Sequence, residues 1–221
     1  AWVVEMIDLH THSIFSDGEL IPAESAQRAF AAGYKIIAIT DHVDFSNIDL
    51  IIPRIIRVSD RITCRGNIKV IPGVELTHVD PRDIESLTIE ARNLGARIVI
   101  VHGETITEPV PEGTNMAAIQ AGVDILAHPG LIGDREVALA AEKGVYLEIT
   151  TRRGHAFTNG HVVQMARKHN ARLVLNNDAH APSDFVGHKM AVYVAKGAGL
   201  TEKEIDVMFR NSQELVQRNG V

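Results

Sequence analysis

The chain has 221 residues and 45% hydrophobic content, enough for one sizeable core, and its length suits a single domain over residues 1–221. A formal net charge of −6, from 28 acidic against 22 basic residues, gives no electrostatic footprint for duplex nucleic acid or an anionic membrane. That balance still admits a small anionic substrate, because bound metal ions can reverse the local sign of the field.

Short runs rich in Ile, Val and Leu alternate with helical stretches from end to end. The first run, Met6 to Leu9, leads into His10-Thr11-His12. It begins within a few residues of Ala1, which leaves no room for a signal peptide, so a cytoplasmic location is expected. A helix follows from Pro22 to Gly33, with Ala26, Ala29 and Phe30 on one face. The second run, Lys35 to Thr40, leads into Asp41-His42. Arg54, Arg57, Arg61 and Arg65 are helix-spaced, but Asp60 interrupts them and no aromatics interleave, so they read as a solvated face. Cys64 cannot form an internal disulfide and reads as a small, partly buried hydrophobe. The third run, Ile68 to Ile71, is followed by Glu75, and a helix by Asp83 to Leu94. The fourth run, Arg97 to Val101, ends at His102, and the polar segment Glu104 to Thr114 reads as a rim or lid loop. After a helix at Thr114 to Ala121, the fifth run, Val123 to Ala127, ends at His128. A helix at Asp134 to Lys143 precedes the sixth run, Val145 to Ile149, after which come Arg152, Arg153 and His155. Asn159 to His169 is helical, and the seventh run, Arg172 to Leu175, leads into Asp178-Ala179-His180. The last helix opens with Thr201 and Glu204 at capping-box spacing, carries Ile205, Met208, Phe209, Leu215 and Val216 on one stripe, and stops at Asn219-Gly220.

Seven strand–helix units that hardly alternate in polarity predict an α/β fold with buried parallel strands, closed into a barrel. A doubly wound open sheet is the alternative, but no glycine-rich phosphate-binding loop follows any strand. In a parallel barrel the carboxyl ends of the strands converge on one mouth. Six of the seven units end in histidine or carboxylate, a crowd that would repel and lose solvation without cations. Neutral imidazoles and carboxylates ligate Zn, Mn or Fe, and carboxylates can bridge two ions.

The same residues carry a family resemblance. Asp8-Leu9-His10-Thr11-His12-Ser13 with Ser16-Asp17-Gly18 resembles the first motif of the PHP (polymerase and histidinol phosphatase) family. Ile39-Thr40-Asp41-His42 resembles the second, and Pro72-Gly73-Val74-Glu75 the segment with a bridging glutamate. Ala127-His128-Pro129-Gly130 and Asn177-Asp178-Ala179-His180 resemble the third and fourth. The resemblance implies a distorted (β/α)7 barrel of the TIM type with two to three divalent ions (Mn, Zn or Fe) at the strand ends. It implies one ion on His10, His12, Glu75 and Asp178, a second bridged by Glu75 to His102 and His128, and a third on Asp17, His42 and His180. Asp17 stands where some relatives have histidine, which shifts that site toward Mn or Fe.

The expected reaction is hydrolysis of a phosphate ester by a hydroxide held between the ions, with Glu75, Asp178 and Arg153 as catalytic groups. Arg152, Arg153, His155 and His188 are the candidate substrate contacts, with Lys189 beside them, and Glu104 is a weaker candidate acid. Asp8 and Asp41 are candidates for orienting ligand imidazoles. His78, His161 and His169 match no motif and default to structural roles. The expected partner is a small phosphorylated substrate rather than duplex nucleic acid or membrane, with oligomeric state open. A nuclease or nucleotide phosphodiesterase, and a non-catalytic metal-binding domain, are the competing readings.

Overall fold

The computed structural model describes residues 5–220. The strands are β1 (Met6–Thr11), β2 (Tyr34–Ile39), β3 (His42–Val43), β4 (Lys69–Leu76), β5 (Ile98–His102), β6 (Ile125–Ala127), β7 (Tyr146–Thr150) and β8 (Leu173–Asn176). All pair in parallel, in the order β1-β2-β4-β5-β6-β7-β8, and the two-residue β3 pairs with the upper half of β4 beyond β2. The result is a near-closed, distorted (β/α)7 barrel, as the strand count predicts.

The strands alternate cleanly in what they bury. Ile7, Leu9, Ala38, Ile71, Ile98, Ile100, Ile125, Ala127, Tyr146 and Val174 form one apolar cluster inside the barrel. Their neighbours, such as Val70, Val99, Leu126 and Leu147, pack outward against the helices. Those helices are α1 (Pro22–Ala31), α2 (Ile48–Arg65), α3 (Ile84–Asn93), α4 (Thr114–Ala121), α5 (Asp134–Lys143), α6 (Asn159–His169), α7 (His188–Gly197) and α8 (Glu202–Arg218). The four helix-spaced arginines lie on α2, which accommodates Pro53 within it. Cys64 is exposed rather than partly buried, because it falls on the outer face of the last turn of α2.

At α8 the Thr201 hydroxyl accepts from the Glu204 amide, and the Glu204 carboxylate accepts from the Thr201 amide at 2.8 Å, a capping box. Leu215 and Val216 of this helix join the interior cluster and plug the barrel end opposite the mouth. Nearby, buried Asp124 accepts from Arg218 at 2.9 Å and Asn219 at 3.2 Å, fastening the helix there.

Between β1 and β8 the barrel closes largely through side chains. The Leu9 amide donates to Asn176 Oδ1 at 2.8 Å, and Asn177 donates to Asp8 from both its amide and its side chain. Backbone bonds resume above this seam, where His12 N donates to Ala179 O at 2.8 Å. Among the described residues no helix is long and apolar enough to cross a membrane.

Candidate metal centre

Each strand delivers its donor to the mouth by a definable local device. Glu75 continues the inward phase of Ile71 on β4, and His102 that of Ile98 and Ile100 on β5. Simple alternation would turn His10 and His12 away from the interior face that Leu9 occupies. The register of β1 against β2 breaks between Asp8 and Thr11, and this irregularity re-aims both rings. His128 and Asp178 are brought in by left-handed backbone, with φ of 27° and 52°. Asp17 lies on the turn after β1, which is tied down by Asp41. That carboxylate accepts from the Ser13 amide, the Ser13 hydroxyl and the Ser16 hydroxyl at 2.7, 2.7 and 2.8 Å.

The donors meet in one volume. His10 Nε2 lies 3.3 Å from Glu75 Oε1 and 3.5 Å from Asp178 Oδ1. His12 Nε2 lies 3.1 Å from Asp178 Oδ1 and 3.5 Å from Glu75 Oε2. His128 Nε2 is 3.7 Å from Asp178 Oδ2 and 3.9 Å from Glu75 Oε1. An outer group gathers on Asp17 Oδ1, with His180 Nε2 at 3.1 Å and His42 Nε2 at 3.4 Å. The other ring nitrogen of His42 is 2.8 Å from Glu75 Oε2, which links the outer group to the inner one. His102 packs against His128 with ring centroids 4.6 Å apart, and His155 stacks on His128 at 4.2 Å.

A cation is what this arrangement asks for. Among the described residues, the buried side-chain polar atoms without a hydrogen-bond partner include both oxygens of Glu75, both nitrogens of His12 and His128, His10 Nε2 and Glu148 Oε1; the rest are two serine hydroxyls. Orphaned buried groups of this kind are costly unless an ion satisfies them. Burial holds the His12 and His128 rings neutral, and nearby His42 and His102, respectively, reinforce this, leaving their nitrogens free as ligands. Burial disfavours a charged His10, but the carboxylates of Glu148, Glu75 and Asp178 outweigh it and raise its pKa. Burial raises Asp178 to about 7 despite His10 beside it. The donor set therefore fits divalent ions at several neighbouring positions, as the groupings His10–His12–Glu75, His10–His128–Asp178 and His12–Asp17–His42–His180 indicate.

The remaining candidates divide. Arg152 faces the cluster, with Nε 3.5 Å from Asp178 Oδ2 and Nη1 3.4 Å from Asp184 Oδ2. It lines both the mouth cavity of about 270 Å³ and an adjoining cleft of about 580 Å³. Arg153 lines only the adjoining cleft, so the arginine at the cluster is Arg152. His155 is buried at the mouth, with Nδ1 2.8 Å from Thr105 Oγ1. His188 lies apart, at the start of α7, stacked on Phe209 at 5.5 Å, and Lys189 lies over Tyr193. Glu104 is not an acid at the site, since its Oε1 accepts from the Gly113 and Asn115 amides at the start of α4. Asp8 accepts from the His10 and Asn177 amides and the Asn177 side chain, and Asp41 from Ser13 and Ser16, rather than from ligand rings. The ring partner is Glu148 of β7, unnoticed in the sequence, whose Oε2 lies 2.9 Å from His10 Nδ1 and also accepts from Asn176 at 2.8 Å. Its signal was the inward phase it shares with Tyr146 on a strand whose end carried no ligand. His161 bonds Ile132 O and His169 bonds Asp134, both structural. His78, by contrast, lies on the mouth cavity together with Glu108.

The family model described as PHP domain matches residues 8–170. An uncharacterized protein of Methanocaldococcus jannaschii is 46% identical over 96% of this chain and 98% of its own length. A probable phosphatase of Thermoanaerobacter sp. is 27% identical over 89% of this chain and 88% of its own. A ribonuclease P protein component 3 of Methanosarcina acetivorans is 26% identical over 96% of this chain and 89% of its own. In fold, the chain resembles the histidinol phosphate phosphatase of Lactococcus lactis, solved with zinc, L-histidinol and phosphate (TM-score 0.64, 19% identity, covering 89% of this chain and 95% of that one). It also resembles a chain of an archaeal ribonuclease P solved with mature tRNA (TM-score 0.71, 16% identity, covering 97% and 91%).

Proposed function

Because this chain belongs to the PHP domain family, we propose that it is a metal-dependent phosphoesterase acting on a small phosphomonoester. The observation that carries the reading is the set of orphaned, buried imidazole and carboxylate donors at one barrel mouth. His10, His12, Glu75 and Asp178 would hold one ion, with His128 and His102 serving a neighbouring position and Asp17, His42 and His180 an outer one. Bound there, divalent ions activate water and neutralise charge on a phosphoryl group.

The chain's own residues do the rest. Glu148 fixes the His10 ring so that Nε2 faces the centre. Arg152 grips a phosphate oxygen from the side of Asp178, where a guanidinium fork suits a phosphoryl group. Arg153, Asn177 and Ser183, on the cleft that Arg152 shares with the mouth, meet the leaving group. The size of the mouth cavity supports a small ester over a polymer.

The test is phosphate release from an aryl phosphomonoester by protein stripped of metal and reloaded with Mn, Zn or Fe. Activity should appear only on reloading and vanish in Glu75→Gln. Full activity after stripping, or in that variant, would sink the mechanism. A second reading, an RNA-associated role, draws on the ribonuclease P relatives. The net charge of −6 weighs against it, and tRNA retained in a gel-shift assay by protein inactive on all phosphoesters would favour it.

A further inference from the structure

The cleft beside the mouth encloses about 580 Å³, against about 270 Å³ for the mouth itself, and Arg152 lines both. A pocket of that size takes a small-molecule skeleton larger than a phosphoryl group. An ester held by its phosphate at the donor cluster therefore extends its leaving group into the cleft, and the cleft's lining selects that group.

Buried hydrogen bonds fix both walls. Asn177, part of the floor, donates from its side chain to Asp8 at 2.7 Å and to the Tyr34 hydroxyl at 2.6 Å, and accepts from Thr151 at 3.0 Å. The Tyr34 hydroxyl donates in turn to Val186 O at 2.8 Å, which fastens to the barrel the segment that carries Ser183, Val186 and Met190. The turn after β7 supplies Thr151, Arg152 and Arg153. It is closed by bonds from the Arg152 amide to Thr150 Oγ1 at 3.1 Å and from the Ala156 amide to Arg152 O at 3.0 Å.

The charges on these walls do not cancel. Asp184 Oδ2 accepts from the His180 and Ala181 amides at 2.9 Å each and lies 3.4 Å from Arg152 Nη1. Arg152 is also held by Asp178 at 3.5 Å. Of the three charged side chains lining the cleft, Arg152 and Asp184 are thus paired with one another. Arg153 has no carboxylate within 4 Å among the described residues, so the cleft is left with one uncompensated guanidinium.

We propose that the leaving group carries a second anion, a carboxylate or a further phosphate, which Arg153 binds in this cleft while the ester phosphate sits at the metal centre. The inference rests on the phosphoesterase reading and narrows its substrate class. A guanidinium fork meets either oxyanion with two parallel N–H bonds. Val186 and Met190 offer an apolar wall to the carbon skeleton between the two anions. A neutral leaving group gains nothing from Arg153, and an ammonium is repelled by it. The sequence places Arg153 among the catalytic groups; in the structure its place is in specificity.

The experiment is phosphate release by the full chain, stripped of metal and reloaded with Mn, from phenyl phosphates that differ only at the para position. The substituents are carbamoylmethyl, carboxymethyl, phosphonomethyl and 2-aminoethyl. A methylene insulates the ester oxygen in each, and the phosphonate carbon–phosphorus bond is not hydrolysed. The parent should process the carboxymethyl or the phosphonomethyl ester with a kcat/KM about tenfold above the carbamoylmethyl ester, mainly through KM. The better of the two identifies the second anion. Arg153→Gln should bring that ratio close to one, Arg153→Lys should keep part of it, and Arg153→Glu should favour the aminoethyl ester. Arg153 is exposed, so these replacements leave the core intact, and circular dichroism checks this. Equal kcat/KM for neutral and anionic esters in the parent, or a preference that survives Arg153→Gln, would overturn the second-anion site and leave the phosphoesterase standing. No phosphate from any of these esters after reloading would overturn both.

Discussion

Glu148 shows how one buried side chain governs another. Its carboxylate has no access to solvent and touches His10 Nδ1, so the ring can present only Nε2 to Glu75 and Asp178. Removing the charge while keeping the shape, as in Glu148→Gln, should weaken metal binding by about 10–100-fold with the fold retained. Competition with a chromophoric chelator reads this directly, and unchanged affinity would show that the ring is held by packing alone. His10, His12, Glu75 and Asp178 were legible because each follows a hydrophobic run at a recognisable spacing. Glu148 was hidden inside such a run, and Glu108 lay in a polar loop where a carboxylate is ordinarily solvated. Arg152 and Arg153 were indistinguishable as neighbours, and only the backbone after β7 decides which faces Asp178.

At the scale of elements, the loops carry as much information as the strands. A Cβ on Gly103 would lie 2.3 Å from Ala127 O, and one on Gly130 would lie 1.9 Å from Glu104 O in a backbone already at φ 63°. These two approaches press the β5 and β6 exits together and seat the start of the rim loop. Gly130→Ala should therefore destabilise the protein by about 1–3 kcal/mol, seen as a lowered thermal midpoint. A wild-type midpoint would mean that the loop base yields without cost. The strands were readable from their Ile, Val and Leu content, and the regular helices from their caps and stripes. Bends in phase were not readable: the irregular register at Asp8–Thr11 and the left-handed backbone at His128 turn donors inward against simple alternation. The α7 segment was not read as a helix because Val192, Tyr193 and Val194 favour strand by propensity, and its packing against α8 overrides that preference.

At the scale of the whole molecule, the barrel has a chemical end and a structural end. The mouth holds the ionisable groups, while Leu215 and Val216 of α8 complete the interior from the opposite side. Leu215→Ala should cost about 2–5 kcal/mol of stability by opening a cavity. Because the plug is remote from the donors, metal stoichiometry should be unaltered, and a denaturation curve alongside a dialysis measurement separates the two. Loss of metal together with stability would mean that the two ends are coupled through the strands.

The seam between β1 and β8 bears on the chain as a polymer. His10 and His12 stand on one side of it and Asp178 and His180 on the other, about three quarters of the chain's length apart in sequence. Side chains, rather than a regular backbone ladder, join the strands below them. An ion held across that seam is a reversible cross-link closing a very long loop, the kind of closure that most restricts an unfolded chain in entropic terms. Chelation should then act on such a protein as reduction acts on a disulfide, loosening the first and last strands together before it reaches the rest, and hydrogen exchange in those two strands with and without chelator checks this.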